Sequence, residues 1–126
     1  MSLSGLQRFE EVKSLLRKSI PVARRVLGEE HLLTLTIQSV YALALHRDTS
    51  ASLDDLGEAV ETLENIDLIA RRLLGGAHPM TVSIEQELRN ARAALRVHRL
   101  ALRIVLSAGS LFFAVAVAVV AWLWRS

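Results

Sequence analysis

Apolar residues recur at three- and four-residue steps along most of this chain, the period of a helix with one buried face. Over residues 6–27, Leu6, Phe9, Val12, Leu15, Leu16, Ile20, Val22, Val26 and Leu27 keep near-helical spacing. Glu10 and Glu11 come early and Arg24 and Arg25 late, as a helix dipole favours. Pro21 removes a donor and crowds the preceding turn, so a kink or break is expected near Lys18–Ile20. Gly28 is the natural stop. A second helix is expected from about Leu32 to His46, with Leu35, Val40, Leu43 and Ala44 on its apolar face. The polar loop Arg47–Ser52 follows, and Ser52-Leu-Asp-Asp55 has the spacing of a capping box. The third helix then carries Leu56, Val60, Leu63, Ile66, Ile69, Ala70, Leu73 and Leu74, and stops at Gly75-Gly76. His78-Pro79 opens a fourth, because proline is tolerated in a first turn. Leu88, Ala91, Leu95 and Leu102 form its apolar stripe, expected to pack on the third helix as far as about Leu95. Arg89, Arg92, Arg96, Arg99 and Arg103 lie one position on and face water.

No stop signal separates this fourth helix from residues 104–124, IVLSAGSLFFAVAVAVVAWLW, an uncharged run of 21 residues. As a helix the run spans roughly 31 Å, close to the hydrocarbon thickness of a bilayer. The whole predicted rod from Met80 onward is about 65 Å long. Trp122 and Trp124 sit where an interfacial aromatic belt belongs. Five arginines precede the run and only Arg125 follows it, so the positive-inside rule places the N-terminal part in the cytosol. The reading is a single-pass tail anchor. Arg99 and Arg103, nearest the span, are candidate contacts for anionic lipid headgroups. Ser110, Ala114 and Ala118 make a small-residue stripe, through which two spans can pack and the chain form a homo-oligomer.

The chain also repeats itself. Ala23-Arg-Arg-Val-Leu-Gly-Glu-Glu-His31-Leu-Leu-Thr-Leu-Thr-Ile37 returns 47 residues later as Ala70-Arg-Arg-Leu-Leu-Gly-Gly-Ala-His78-Pro-Met-Thr-Val-Ser-Ile84, with eight of fifteen positions identical. A fixed period of this length marks stacked helical hairpins, each too small to bury its apolar face alone. The expected fold is all-α: antiparallel helix-turn-helix repeats, about two of them, followed by one transmembrane helix. The expected divisions are an N-terminal helix over 1–28, a repeat region over 29–100 and the span over 104–124.

Charge and composition narrow the function. A net charge of +2 is too small to argue for nucleic acid. No cysteine is present, which excludes disulfides and thiolate metal sites. The four histidines lack metal-ligand spacing, and the matching loop positions of His31 and His78 point to a role in the repeat itself. Glu10/Glu11, Glu29/Glu30 and Asp54/Asp55 are adjacent pairs, which diverge on a helix. No nucleophile elbow or phosphate-cradling glycine loop is legible, so neither an enzyme nor a cofactor is expected.

Ala-Arg-Arg-x-Leu-Gly-x-x-His-x-x-Thr, closing one helix and opening the next, resembles the tetratricopeptide repeat of the kinesin light chain type over roughly residues 15–97. Leu74-Gly75-Gly76-Ala77-His78-Pro79-Met80-Thr81 is the closer match, whereas the first copy has Leu32 where the family has proline. The period exceeds the family's, most simply through an insertion at Arg47–Ser52. The resemblance implies helix pairs that bind a peptide or a partner helix; the coiled-coil heptads by which that family binds its motor are not recognisable in this sequence, so no motor role is expected. A groove walled by helices 32–46 and 80–97 makes Gln38, Tyr41, Glu85 and Arg89 candidate partner-binding residues. The functional expectation is a non-enzymatic, membrane-anchored adaptor for a protein or peptide. The alternatives are an organelle adaptor laid out like mitochondrial fission or import receptors, a fragment of a longer repeat array, and a lipid-binding module.

Overall fold

The computed structural model describes residues 3–48 and 50–126, and every element among them is an α-helix. Helix α1 spans Leu3–Leu27, α2 Leu32–Arg47, α3 Leu53–Leu74 and α4 Pro79–Arg125. The Leu6 side chain, expected on the apolar face of α1, and Thr49 of the expected loop lie outside the described residues. The chain forms two units, Met1–Leu95 and Arg96–Ser126, and α4 contributes to both.

The helix ends follow from local chemistry. Both α1 and α3 stop at a glycine with positive φ: Gly28 at 92° and Gly75 at 84°. That region strains any side chain with a Cβ. The Gly28 N–H donates to Arg24 O at 3.0 Å, and the Gly75 N–H to Arg71 O at 3.1 Å. Three residues on, a histidine caps the next helix. His31 Nδ1 accepts from the Leu33 N–H and His78 Nδ1 from the Met80 N–H, each at 3.1 Å. Ser52 caps α3 as its spacing predicts: Ser52 Oγ accepts from the Asp55 N–H at 3.1 Å, and Asp55 Oδ2 accepts from the Ser52 N–H at 3.2 Å. The expected break at Pro21 does not occur, since α1 is helical on both sides of it.

Within the first unit, successive helices run antiparallel. The start of α2 meets the end of α3 through the Glu30–Arg72 ion pair beside the cap. Residues along α3 and α4 pair in opposite order, Arg71 with Glu85 and Glu64 with Arg92. His46 at the end of α2 reaches Glu87 of α4 at 2.9 Å. The core collects Ile20 from α1, Leu35, Tyr41, Ala42 and Leu45 from α2, Ala59, Leu63, Ile66 and Ala70 from α3, and Ile84, Leu88 and Ala91 from α4. Each fully buried leucine or isoleucine contributes about 1.5–3 kcal/mol of transfer free energy.

Helix α3 buries Leu56, Leu63, Ile66 and Ala70 of its expected stripe, adds Ala59 and leaves Leu73 exposed, and burial along α4 ends at Leu95 as expected. Helix α2 departs from its expected face. Of Leu35, Val40, Leu43 and Ala44, only Leu35 is fully buried, and Val40 is exposed. Thr34, Gln38, Tyr41, Ala42 and Leu45 take the interior instead. Apolar residues lie all round α2, so its period does not choose a face; its packing neighbours do.

In the second unit, the remainder of α4, every residue from Arg99 onward is exposed. An 18-residue window there has a mean hydropathy of 2.5 and no buried residue. By length and composition, α4 is able to cross a membrane.

Candidate functional site

The four residues expected to line one groove fall into two places. Gln38 and Tyr41 are buried on α2 and line a recess of about 220 Å³ together with Arg17, Arg24, Glu58 and Thr62. Glu85 and Arg89 sit on α4 beside the end of α3, outside that recess.

Tyr41 organises the recess. Its hydroxyl accepts from Arg17 Nε–H at 3.0 Å and donates to Glu58 Oε1 at 2.8 Å, linking α1, α2 and α3. The Arg17 guanidinium also lies over the ring, 5.7 Å from its centroid. Burial raises the phenol above its ordinary pKa, so it remains a neutral donor at physiological pH. The Arg17 bond uses one nitrogen, Nε, while Arg24 also lines the opening. The recess thus holds two guanidinium groups and one carboxylate, Glu58, and Arg24 also lies 4.0 Å from Glu29 Oε1.

Glu85 bridges two arginines: Oε1 accepts from Arg89 at 2.6 Å and Oε2 pairs with Arg71 at 3.1 Å. The hydrogen bond from Arg89 leads in holding its carboxyl below the ordinary range. Arg71 also binds Asp67, at 3.0 Å. Arg89 therefore has a partner already in hand, whereas Asp67 Oδ1 is buried without one.

One polar cluster escaped sequence reasoning. Lys13, on α1, is buried and pairs with Asp48 at 3.1 Å and Glu10 at 2.7 Å. Asp48 Oδ1 accepts from the Ser50 N–H at 3.0 Å and from the Ser50 hydroxyl at 2.8 Å. Burial works against the Lys13 charge, but Glu10 and Asp48 outweigh it and hold the ammonium above its ordinary value. The backbone bond from Ser50 leads in lowering the Asp48 carboxyl. The cluster fastens the loop after α2 to α1. A signal was present in the sequence: Lys13 interrupts the stripe Phe9, Leu16, Ile20 at helical spacing.

Arg99 and Arg103 are exposed on the second unit, as is Arg96. No aspartate or glutamate follows Glu87, so this stretch carries arginines without local acids. No group of three or more His, Asp or Glu side chains able to hold a metal occurs among the described residues. His31 and His78, the equivalent pair, serve as helix caps.

Compared with protein-family models, with curated proteins and with solved structures, the chain has no significant match.

Proposed function

We propose that this chain is a membrane-anchored adaptor, with two helical hairpins of tetratricopeptide-like type that hold a protein or peptide ligand near a membrane surface. The observation that carries the reading is the contrast along α4. Its first part is buried up to Leu95, and its last part exposes 21 uncharged residues, 104–124, to whatever surrounds them. A contiguous apolar surface of that size is far larger than soluble monomers show, and a lone helix satisfies all its backbone groups internally, as lipid requires.

Two further features support the reading. Both hairpin turns use the same glycine stop and histidine cap 47 residues apart, which suits a repeat scaffold. The acid-free arginines Arg96, Arg99 and Arg103 suit the flank of a span whose N-terminal side is cytosolic and whose surface lipids are anionic. The peptide-binding end of the proposal rests on the Arg17–Tyr41–Glu58 recess. The reading contains no catalytic step.

The test is extraction of the full chain, N-terminally tagged, beside a chain ending at Leu102. Resistance to alkaline extraction, a protease-accessible tag and loss of membrane association on truncation are expected. Release of the full chain by alkali would overturn the anchor.

A further inference from the structure

The two hairpins treat one arginine position differently. Arg24 and Gln38 of α1 and α2 correspond, one period on, to Arg71 and Glu85 of α3 and α4. In the second hairpin the two close on each other, with Arg71 3.1 Å from Glu85 Oε2. In the first, a neutral amide stands where the carboxylate would be, and Arg24 reaches only Glu29, at 4.0 Å. Both Arg24 and Gln38 line the recess of about 220 Å³.

The state of Gln38 is an independent observation. It is 3% exposed, yet its amide makes no hydrogen bond to any described residue. The sealed side-chain atoms without a partner are Asp67 Oδ1 and Thr81 Oγ1, and neither belongs to Gln38. Its amide therefore opens onto the recess. A buried amide left unpaired is costly, and a ligand that pairs with it removes that penalty. Two neighbours have capacity to spare. Arg17 gives its Nε–H to Tyr41 and makes no ion pair among the described residues, so its Nη–H groups are unused. Glu58 takes the Tyr41 hydroxyl on Oε1 and keeps Oε2.

We infer that the recess is a subsite for a primary carboxamide, the side chain of an asparagine or glutamine in the peptide ligand. The carboxamide oxygen accepts from the Gln38 amide N–H and from Arg17. Its two N–H groups donate to the Gln38 amide oxygen and to Glu58. Gln38 offers one donor and one acceptor side whichever way its amide is turned. A carboxylate would satisfy only the donors and would meet Glu58 with like charge. An ammonium would satisfy only the acceptors and would meet Arg17 and Arg24. A main-chain peptide unit has one N–H and leaves one acceptor unpaired. The inference rests on the recess as the peptide-binding end of the adaptor and not on the anchor.

The test is nuclear magnetic resonance of the isotope-labelled full chain in mild non-ionic detergent. The probes are N-acetylglutamine methylamide and its glutamate and leucine analogues, which carry the same main-chain groups. The Gln38 side-chain N–H signals and the Arg17 Nε–H report binding, and the exposed Gln86 amide is the control. Saturable shifts with the glutamine probe are expected, with binding at least about tenfold weaker for the other two, because a site built for N–H groups rejects analogues without them. Gln38→Met keeps the volume, and Gln38→Glu recreates the ion pair of the second hairpin. Both are expected to keep their helix content by circular dichroism and to abolish the Arg17 response. A glutamate probe bound as tightly as the glutamine probe overturns the carboxamide but keeps a peptide ligand, and so does equal binding of the leucine probe. Signals unmoved by every probe overturn the inference and remove the recess from the adaptor reading, while the anchor is still judged by alkaline extraction. A response that survives in both Gln38 variants overturns the inference equally.

Discussion

Exchanging Lys13 for methionine keeps the aliphatic stem and removes the ammonium, leaving Asp48 buried without its counter-ion. Removing one member of a buried pair costs about 3–5 kcal/mol when the other charge is left alone. Here neither is left alone. Asp48 keeps the Ser50 N–H and hydroxyl at 3.0 and 2.8 Å, and in the reverse variant Lys13 keeps Glu10 at 2.7 Å. The loss expected for Lys13→Met or Asp48→Asn is therefore about 2 kcal/mol each. The double variant buries no unpaired charge, so it should cost less than the sum, with a coupling of about 1–2 kcal/mol. The pH dependence has a definite sign. Asp48 is lowered from its ordinary 3.8, so its contribution is complete above that value and lost as pH falls through the lower folded value. Lys13 is raised from 10.5, so its contribution is complete below 10.5 and lost only as pH climbs through the higher folded value. The coupling should be flat between these limits and vanish in acid. Urea unfolding of the full chain and its three variants in detergent, followed by circular dichroism, measures it. Additive losses at neutral pH would refute the reasoning, as would a coupling that survives full protonation of Asp48.

Glycine replacements should act with opposite signs. Gly57→Ala, inside α3 with no heavy atom within 4 Å of the new Cβ, should stabilise by up to about 1 kcal/mol. Gly28→Ala and Gly75→Ala meet equally open space but force a side chain into positive φ, and should each lower the thermal midpoint by several degrees, about 1 kcal/mol or more. Thr34 and Thr81 are equivalent and both fully buried, yet only Thr34 Oγ1 finds an acceptor, Ala23 O at 3.5 Å. Thr81→Val should therefore be neutral or stabilising by about 1 kcal/mol in urea unfolding, and a loss would show that the hydroxyl has a partner. Ser52→Ala removes the capping-box acceptor and should cost about 1 kcal/mol, visible as earlier hydrogen exchange in the first turn of α3.

The helix limits were legible because their causes lie within four residues of chain. Gly28 and Gly75 end helices by a backbone freedom that only glycine has, His31 and His78 cap the N–H two residues on, and Ser52 and Asp55 satisfy each other. The apolar run 104–124 is likewise local, since composition alone makes it unfit for water. The repeat was visible too, because a duplicated turn carries duplicated residues.

Which faces meet was decided by distant parts of the chain. Apolar residues surround α2, so only α1, α3 and α4 together select Gln38, Tyr41 and Leu45 for the interior. Tertiary packing separates Gln38 and Tyr41 from Glu85 and Arg89, and draws Arg17 and Glu58 to the Tyr41 hydroxyl. It carries Asp48 to Lys13 across 35 residues of sequence. It also leaves Val22, Val26 and Leu33 exposed, whereas one period later Ile69 and Met80 pack against the core and Leu73 stays exposed. A sequence period states that a face is apolar; only the positions of neighbouring helices state whether anything covers it.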